Sequence, residues 1–284
     1  MASPDDGTFP HNYLSTSPAH GVPGQSFLYA GPLRSPTPIL LELPIPAPKS
    51  RERYAGYVWN AGVVLADKIA EGEIPVEGKK VLELGCGLGL PGIVAARMEA
   101  DKVVLSDYDD PTALQDTRHA VEEALPPALR GRCTVVGHTW GESIAPILSL
   151  CHWTSYDLIL LADCVWNRRL HSALIHSLRA LLEASSTATV VHFSAGFHTG
   201  RAPVGEFLSR ARAAGIGPAA PEEWKELSVE GESRPWNWGE EEEEGKGKAF
   251  GRVASFSGRM RAEEERQEER NRWTLYGTLR LLEP

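Results

Sequence analysis

Val81-Leu-Glu-Leu-Gly-Cys-Gly-Leu-Gly-Leu-Pro-Gly-Ile-Val-Ala-Ala96 decides the fold. Val81–Leu84 reads as a strand, and Pro91–Glu99 as a helix opened by proline at its first position. Gly85, Gly87 and Gly89 lie between the two, and Gly92 follows the proline. Glycine reaches positive φ and lets a ligand come close to the backbone. In an open α/β sheet, the first strand–helix turn borders the ligand crevice. The stretch therefore predicts a nucleotide-like ligand. Tight strand–helix packing is the alternative, but it needs one glycine rather than three.

Two ligand patterns overlap here. Gly87, Gly89 and Gly92 satisfy G-x-G-x-x-G, a weak dinucleotide fingerprint. Glu83, Gly85, Gly87 and Gly89 satisfy acidic-x-G-x-G-x-G, as in S-adenosyl-L-methionine sites. With Pro91 first in the helix, Gly92 lies inside it and is no phosphate contact. A sulfonium ligand is cationic, and the Glu83 carboxylate suits it.

Working outward, strand-like and helical runs alternate. Strands are expected at Lys102–Asp107, Cys133–Gly137, Leu158–Ala162 and Thr187–Ser194, and helices at Pro111–Leu125, through Leu170–Leu182, and at Gly205–Ala214. Asp110 is the expected N-cap of the helix opened by Pro111. Alternation of this kind means an α/β sheet, doubly wound and mostly parallel, with right-handed crossovers. Trp224–Val229 and Trp273–Leu282 read as two strands pairing antiparallel at one sheet edge. Residues 1–50 are rich in Pro, Ser and Gly and read as a mobile leader, with an extended edge at Leu40–Leu43 as the alternative. Residues 51–284 form the main domain, with an acidic low-complexity insertion at about 239–270 that contains Glu240–Glu244.

The totals set limits. With 284 residues and 42% hydrophobic content, one sizeable core is available. A net charge of −9 argues against a long nucleic-acid footprint. Cys86, Cys133, Cys151 and Cys164 show no CxxC spacing, so neither a metal site nor a disulfide framework is expected. The N-terminus carries Asp5 and Asp6 and no apolar stretch of the signal-peptide kind. No run approaches the ~20 apolar residues of a membrane span. A soluble, cytoplasmic protein is expected.

Several side chains stand where a ligand would lie. Asp107 ends the second strand about 20 residues beyond the glycines, as a ribose-binding acid does. Trp140 follows the third strand, where an indole can stack on a purine; capping the core is its alternative. Trp59 heads a helix before the first strand, with core packing as its rival. Asp163 follows the buried strand Leu158–Ala162 directly. It is either a site acid or a helix N-cap, and Asn167 can serve as the cap instead. His198 and Arg201 are rim or solvated-loop residues. Cys164 reads as a small core residue rather than a nucleophile.

Together, E-L-G-C-G-L-G-L-P, S-D-Y-D-D-P, V-W-N-A-G, T-W-G-E and L-A-D-C-V-W-N resemble the seven-strand methyltransferases, and within them the family 16 lysine methyltransferases. A-G-F-H-T-G-R and R-N-R-W-T-L-Y-G-T-L are similar to filamentous-fungal members. The resemblance covers about residues 55–230 and 271–283. It implies a Rossmann-like, seven-stranded sheet with an antiparallel C-terminal edge strand, and S-adenosyl-L-methionine as cofactor. It also implies methylation of a protein amine, an N-terminus or a lysine, of translation elongation factor 1-alpha by a monomer. Cofactor contacts carry over to Trp59, Gly85, Cys86, Gly87, Asp107, Trp140 and Ala162. Asp163 and Trp166 belong to the D-x-x-aromatic motif, with Trp166 where Tyr or Phe is usual. Asp163 would then orient the acceptor amine and Trp166 would wall its channel. The alternatives are an N-methyltransferase acting on nicotinamide or a similar pyridine, an NAD-dependent oxidoreductase, and a non-catalytic scaffold.

Overall fold

The computed structural model describes residues 17–32, 35, 38–47, 54–149, 155–220, 223–236 and 266–282. A short strand β1 (Ala19–His20) precedes a hairpin of β2 (Ser26–Ala30) and β3 (Leu40–Pro44). Strict alternation gives this hairpin two faces. Phe27, Tyr29, Leu41 and Leu43 join the core, while Leu28 and Leu40 face outward. The mobile-leader reading of residues 1–50 is thus corrected for the described part. A Pro-rich composition hid the period-two pattern of Phe27 and Tyr29. Leu40–Leu43 lies along the core as the extended-edge alternative has it.

Next come β4 (Val58–Trp59) and α1 (Asn60–Ala70). The alternating part runs through β5 (Lys80–Leu84), α2 (Leu90–Arg97), β6 (Lys102–Asp107) and α3 (Pro111–Ala124). It continues with the short α4 (Pro127–Arg130), then β7 (Cys133–Gly137), α5 (Ala145–Ser149) and β8 (Leu158–Ala162). It ends with α6 (His171–Ala184), β9 (Val190–Gly196) and α7 (Arg201–Ala213). Asp110 caps α3 as expected, its Oδ1 accepting from Thr112 N and Ala113 N at 3.0 and 2.8 Å. β10 (Ile216–Pro218), β11 (Lys225–Ser228), β12 (Ser233–Pro235), α8 (Gln267–Arg272) and β13 (Trp273–Leu281) follow.

The main sheet runs in the order β12-β11-β13-β9-β8-β5-β6-β7, with β10 also on β13. β5 to β9 are mutually parallel. The chain steps outward from β5 to β6 and β7, then returns to the other side of β5 with β8 and β9. This reversal opens a crevice at the carboxyl ends of β5 and β8. One face of the sheet is covered by α1, α2, α3 and the hairpin, the other by α6 and α7.

The antiparallel part is larger than expected. β13 pairs with β9, and its other side is taken by β11 and β10, so among the described residues the sheet has nine strands and β13 is not an edge. Trp273 to Leu279 are buried without alternation, the pattern of a strand covered on both faces. The expected pairing of the two C-terminal strands is present as β11–β13. Of the acidic insertion expected at about 239–270, residues up to 265 lie outside the described ones. No helix among the described residues is long and apolar enough to cross a membrane.

Candidate active site

The crevice is a cavity of about 380 Å³. Its lining includes Trp59, Glu83, Gly85, Cys86, Gly87, Asp107, Trp140, Ala162, Asp163 and Trp166. The ten residues expected to touch cofactor or acceptor are thus brought to one place, whereas His198 and Arg201 are not among the lining residues.

The glycines have separate tasks. Gly85 has φ +72°, and a Cβ there would lie 2.6 Å from Cys164 Sγ and 2.8 Å from Trp140 Cζ2. Gly87 has φ +54°, and its Cβ would meet the Ala55 carbonyl oxygen at 3.0 Å. Its N–H donates to Asp107 Oδ2 at 2.7 Å, and its carbonyl accepts from Thr117 Oγ1 at 2.6 Å. Gly92 sits inside α2 as expected, but it serves packing: a Cβ would lie 2.3 Å from Leu105 Cδ2.

Glu83 behaves differently from a bare counter-charge. It is 1% exposed, and its Oε2 accepts from Gly92 N at 2.8 Å. Burial, together with the nearby Asp107, pushes its pKa up to about 8, against the pull of the Gly92 N–H. At neutral pH the side chain is thus mostly a neutral carboxyl that fastens α2 to β5. The sequence supplied the acid but not the direction in which it points.

Asp107 lines the same cavity. Besides Gly87 N–H, Tyr108 N–H donates to its Oδ1 at 2.7 Å, and burial raises its pKa despite both bonds. Each oxygen keeps a lone pair for a hydroxyl. Trp140 is half-buried over Gly85, and the next residue is anchored by Gly141 N–H donating to Ser177 Oγ at 2.8 Å. Trp59 and a third indole, Trp166, also line the cavity, as does Leu170.

Asp163 sits at positive φ, +55°, unusual outside glycine. Its Oδ1 accepts from Gly196 N at 3.0 Å, and its Oδ2 lies 3.7 Å from His198 Nδ1. Burial raises its pKa; the His198 charge and the Gly196 N–H oppose that rise. Asn167 caps the 3-10 turn Arg168–Leu170, its Oδ1 accepting from Arg169 N at 3.1 Å, whereas α6 itself starts after Leu170 with no side-chain cap, so the expected Asn167 cap of that helix is corrected. Cys164 is buried with its thiol pushed far up, chiefly by burial, so it is no nucleophile.

Sequence reasoning missed Tyr57, Tyr108, His138 and Thr139, which also line the cavity. Tyr108 and Thr139 each adjoin a residue that was singled out, which was the available signal. A glycine turn, a buried acid and three indoles lining one cavity suit a nucleoside-type ligand such as S-adenosyl-L-methionine in chemistry.

The reversal of strand order and this turn define the class, a Rossmann-like α/β protein with a nucleoside-type crevice. The profile of the lysine methyltransferase family matches residues 43–198, more than half of the chain, and the chain belongs to that family. It is 37% identical over 147 residues to protein N-terminal and lysine N-methyltransferase efm7 of Schizosaccharomyces pombe, covering 51% of this chain and 57% of that protein. To the relative of the same description from Cryptococcus neoformans it is 37% identical, covering 49% and 46%. The chain spans about half the length of these curated relatives. To the Candida glabrata relative it is 30% identical, covering 62% and 69%. A TehB-like SAM-dependent methyltransferase from Corynebacterium glutamicum has a similar structure, with TM-score 0.45 and 16% identity over 80% of this chain and 90% of that one.

Proposed function

We propose that the cavity binds S-adenosyl-L-methionine and that the chain methylates a protein amine, an N-terminus or a lysine. The bound cofactor would supply an electrophilic methyl group on a sulfonium. The supporting observation is the convergence of glycine turn, Asp107, Trp59, Trp140 and Asp163 on one cavity of about 380 Å³. Asp107 accepts the ribose hydroxyls, and Gly85, Cys86, Gly87 and Ala162 give the backbone room for close approach. Trp140 stacks on the base and Trp59 covers the opposite side.

On the acceptor side, Asp163 accepts a hydrogen bond from the amine and aims its lone pair. Trp166 walls the channel and keeps water out. Such positioning supplies most of the rate in an in-line displacement. A lysine amine, with a pKa of about 10.4, must first lose a proton, whereas an α-amine at about 7.7–8.0 is partly neutral already. An apolar channel favours the neutral form of both.

We further propose translation elongation factor 1-alpha as the acceptor, and a cytoplasmic monomer as the working form. Residues 51–284 would form the catalytic domain, joined by the N-terminal hairpin. The acidic stretch near 239–270 would attract a basic substrate. The test is incubation of the purified chain with methyl-labelled S-adenosyl-L-methionine and a cell lysate. Label in a protein band, released as methylated lysine or N-terminal residue, is expected. Label only in a pyridine such as nicotinamide would overturn the protein-amine reading.

A further inference from the structure

His198 lies in the turn between β9 and α7, behind the cavity wall. Its ring packs on Trp59 with centroids 4.7 Å apart, tilted by 32°. Its Nδ1 is buried, makes no hydrogen bond, and points at Asp163 Oδ2 from 3.7 Å. A buried ring nitrogen left in that state calls for an explanation. Two features hold it there. Gln267 Nε2 donates to the His198 carbonyl at 2.8 Å, fixing the turn to α8. Gly196 keeps the passage open: a Cβ there would sit 3.1 Å from His198 Nδ1 and 3.4 Å from Asp163 Oδ1. Any side chain at 196 would wedge between imidazole and carboxyl. Asp163 itself is held at positive φ, as functional residues often are.

We propose that His198 is the positioning residue for Asp163: its imidazolium holds the Asp163 carboxylate ionised and aimed at the acceptor, while its ring face sets Trp59. This rests on the reading of Asp163 as the group that receives the amine. The surroundings make such a partner necessary. Asp163 is buried, and burial alone disfavours its negative charge. Arg201, three residues beyond His198, is engaged by Glu226 at 2.6 Å. His198 therefore offers the compensating charge at short range. A separation of 3.7 Å closes to a hydrogen bond with a small ring movement.

Two measurements test this. The first needs no catalysis: the Asp163 carboxyl is titrated by NMR in the wild-type chain and in His198→Asn. Loss of the imidazole should let the Asp163 carboxyl hold its proton to higher pH, since His198 opposes the rise that burial imposes. Equal titration in both chains would overturn the proposal, whatever the acceptor proves to be.

The second compares kcat/KM against pH for wild type, His198→Ala and His198→Asn, with S-adenosyl-L-methionine affinity measured alongside. In His198→Ala the acid limb should move to higher pH, because Asp163 keeps its proton longer, and kcat should fall about tenfold or more. His198→Asn restores a hydrogen-bond donor but no charge. It should recover part of kcat while leaving the limb displaced. An unmoved limb, or a loss explained wholly by weaker cofactor binding, would overturn the proposal while leaving the methyltransferase reading intact.

Discussion

Gly85 and Gly92 are identical residues with opposite consequences. In a helix, Gly→Ala normally gains about 1 kcal/mol. At Gly92 the new methyl would press on Leu105, Val103 and Glu83 in a filled core, at 2.3, 3.0 and 2.8 Å. Overpacking of this kind costs about 1–3 kcal/mol, so the clash wins. Gly92→Ala should therefore lower Tm, while cofactor affinity of the folded protein stays near wild type. Gly85→Ala should abolish cofactor binding, since its methyl enters the cavity wall at Trp140. Thermal denaturation with calorimetry separates the two; a stable Gly92→Ala would contradict the packing account. Asp163→Ala should keep cofactor binding and lose about 10²-fold or more in kcat. Unchanged turnover would remove Asp163 from the acceptor side. At this scale the sequence was legible where residue type alone limits the role, as with the glycines and the Asp110 cap. It was not legible for Glu83 and His198, whose roles depend on what they face across the sheet.

Among the elements, the N-terminal hairpin is fastened to α1 by Tyr29, whose hydroxyl donates to Asp67 Oδ1 at 2.7 Å. Burial pushes the Asp67 pKa up to about 7, with the Tyr29 bond pulling the other way. In the unfolded chain this acid titrates near its ordinary value of about 3.9. Between those two values the folded state binds more protons than the unfolded one. The group's contribution to stability is thus full below about pH 4, declines as pH rises to about 7, and is constant above. Asp67→Asn removes this dependence. Its Tm relative to wild type should climb from pH 4 to pH 7 and then level off. Parallel Tm curves for the two proteins would contradict the buried-acid account. Tyr29→Phe leaves the same carboxyl without its donor and should cost about 1–3 kcal/mol. Elements with strong periodicity, such as β6, α3 and α6, were legible to within a residue or two. The hairpin was masked by its prolines, and β10 and β12 by being only a few residues long.

For the whole molecule, the decisive feature is the reversal of strand order at β5, which puts β6 and β8 on either side of the glycine turn. Strand–helix alternation predicts a parallel sheet, but the order of its strands depends on long-range pairing that local sequence does not encode. The nine-stranded width has the same origin, since β13 meets β9 and β11 only after long intervals of chain. Trp59, Gly85, Asp107, Trp140 and Asp163 lie far apart in sequence, and the resemblance to a family grouped them before any geometry was known. The central claim is that this crevice is an S-adenosyl-L-methionine site. Calorimetric titration of the purified chain with S-adenosyl-L-methionine, repeated on Asp107→Ala and Trp140→Ala, tests it most directly. One site per chain is expected, weakened about tenfold or more in each variant through loss of a hydrogen-bonding carboxylate or a stacked indole. No heat at millimolar excess, or equal affinity in all three proteins, would contradict it.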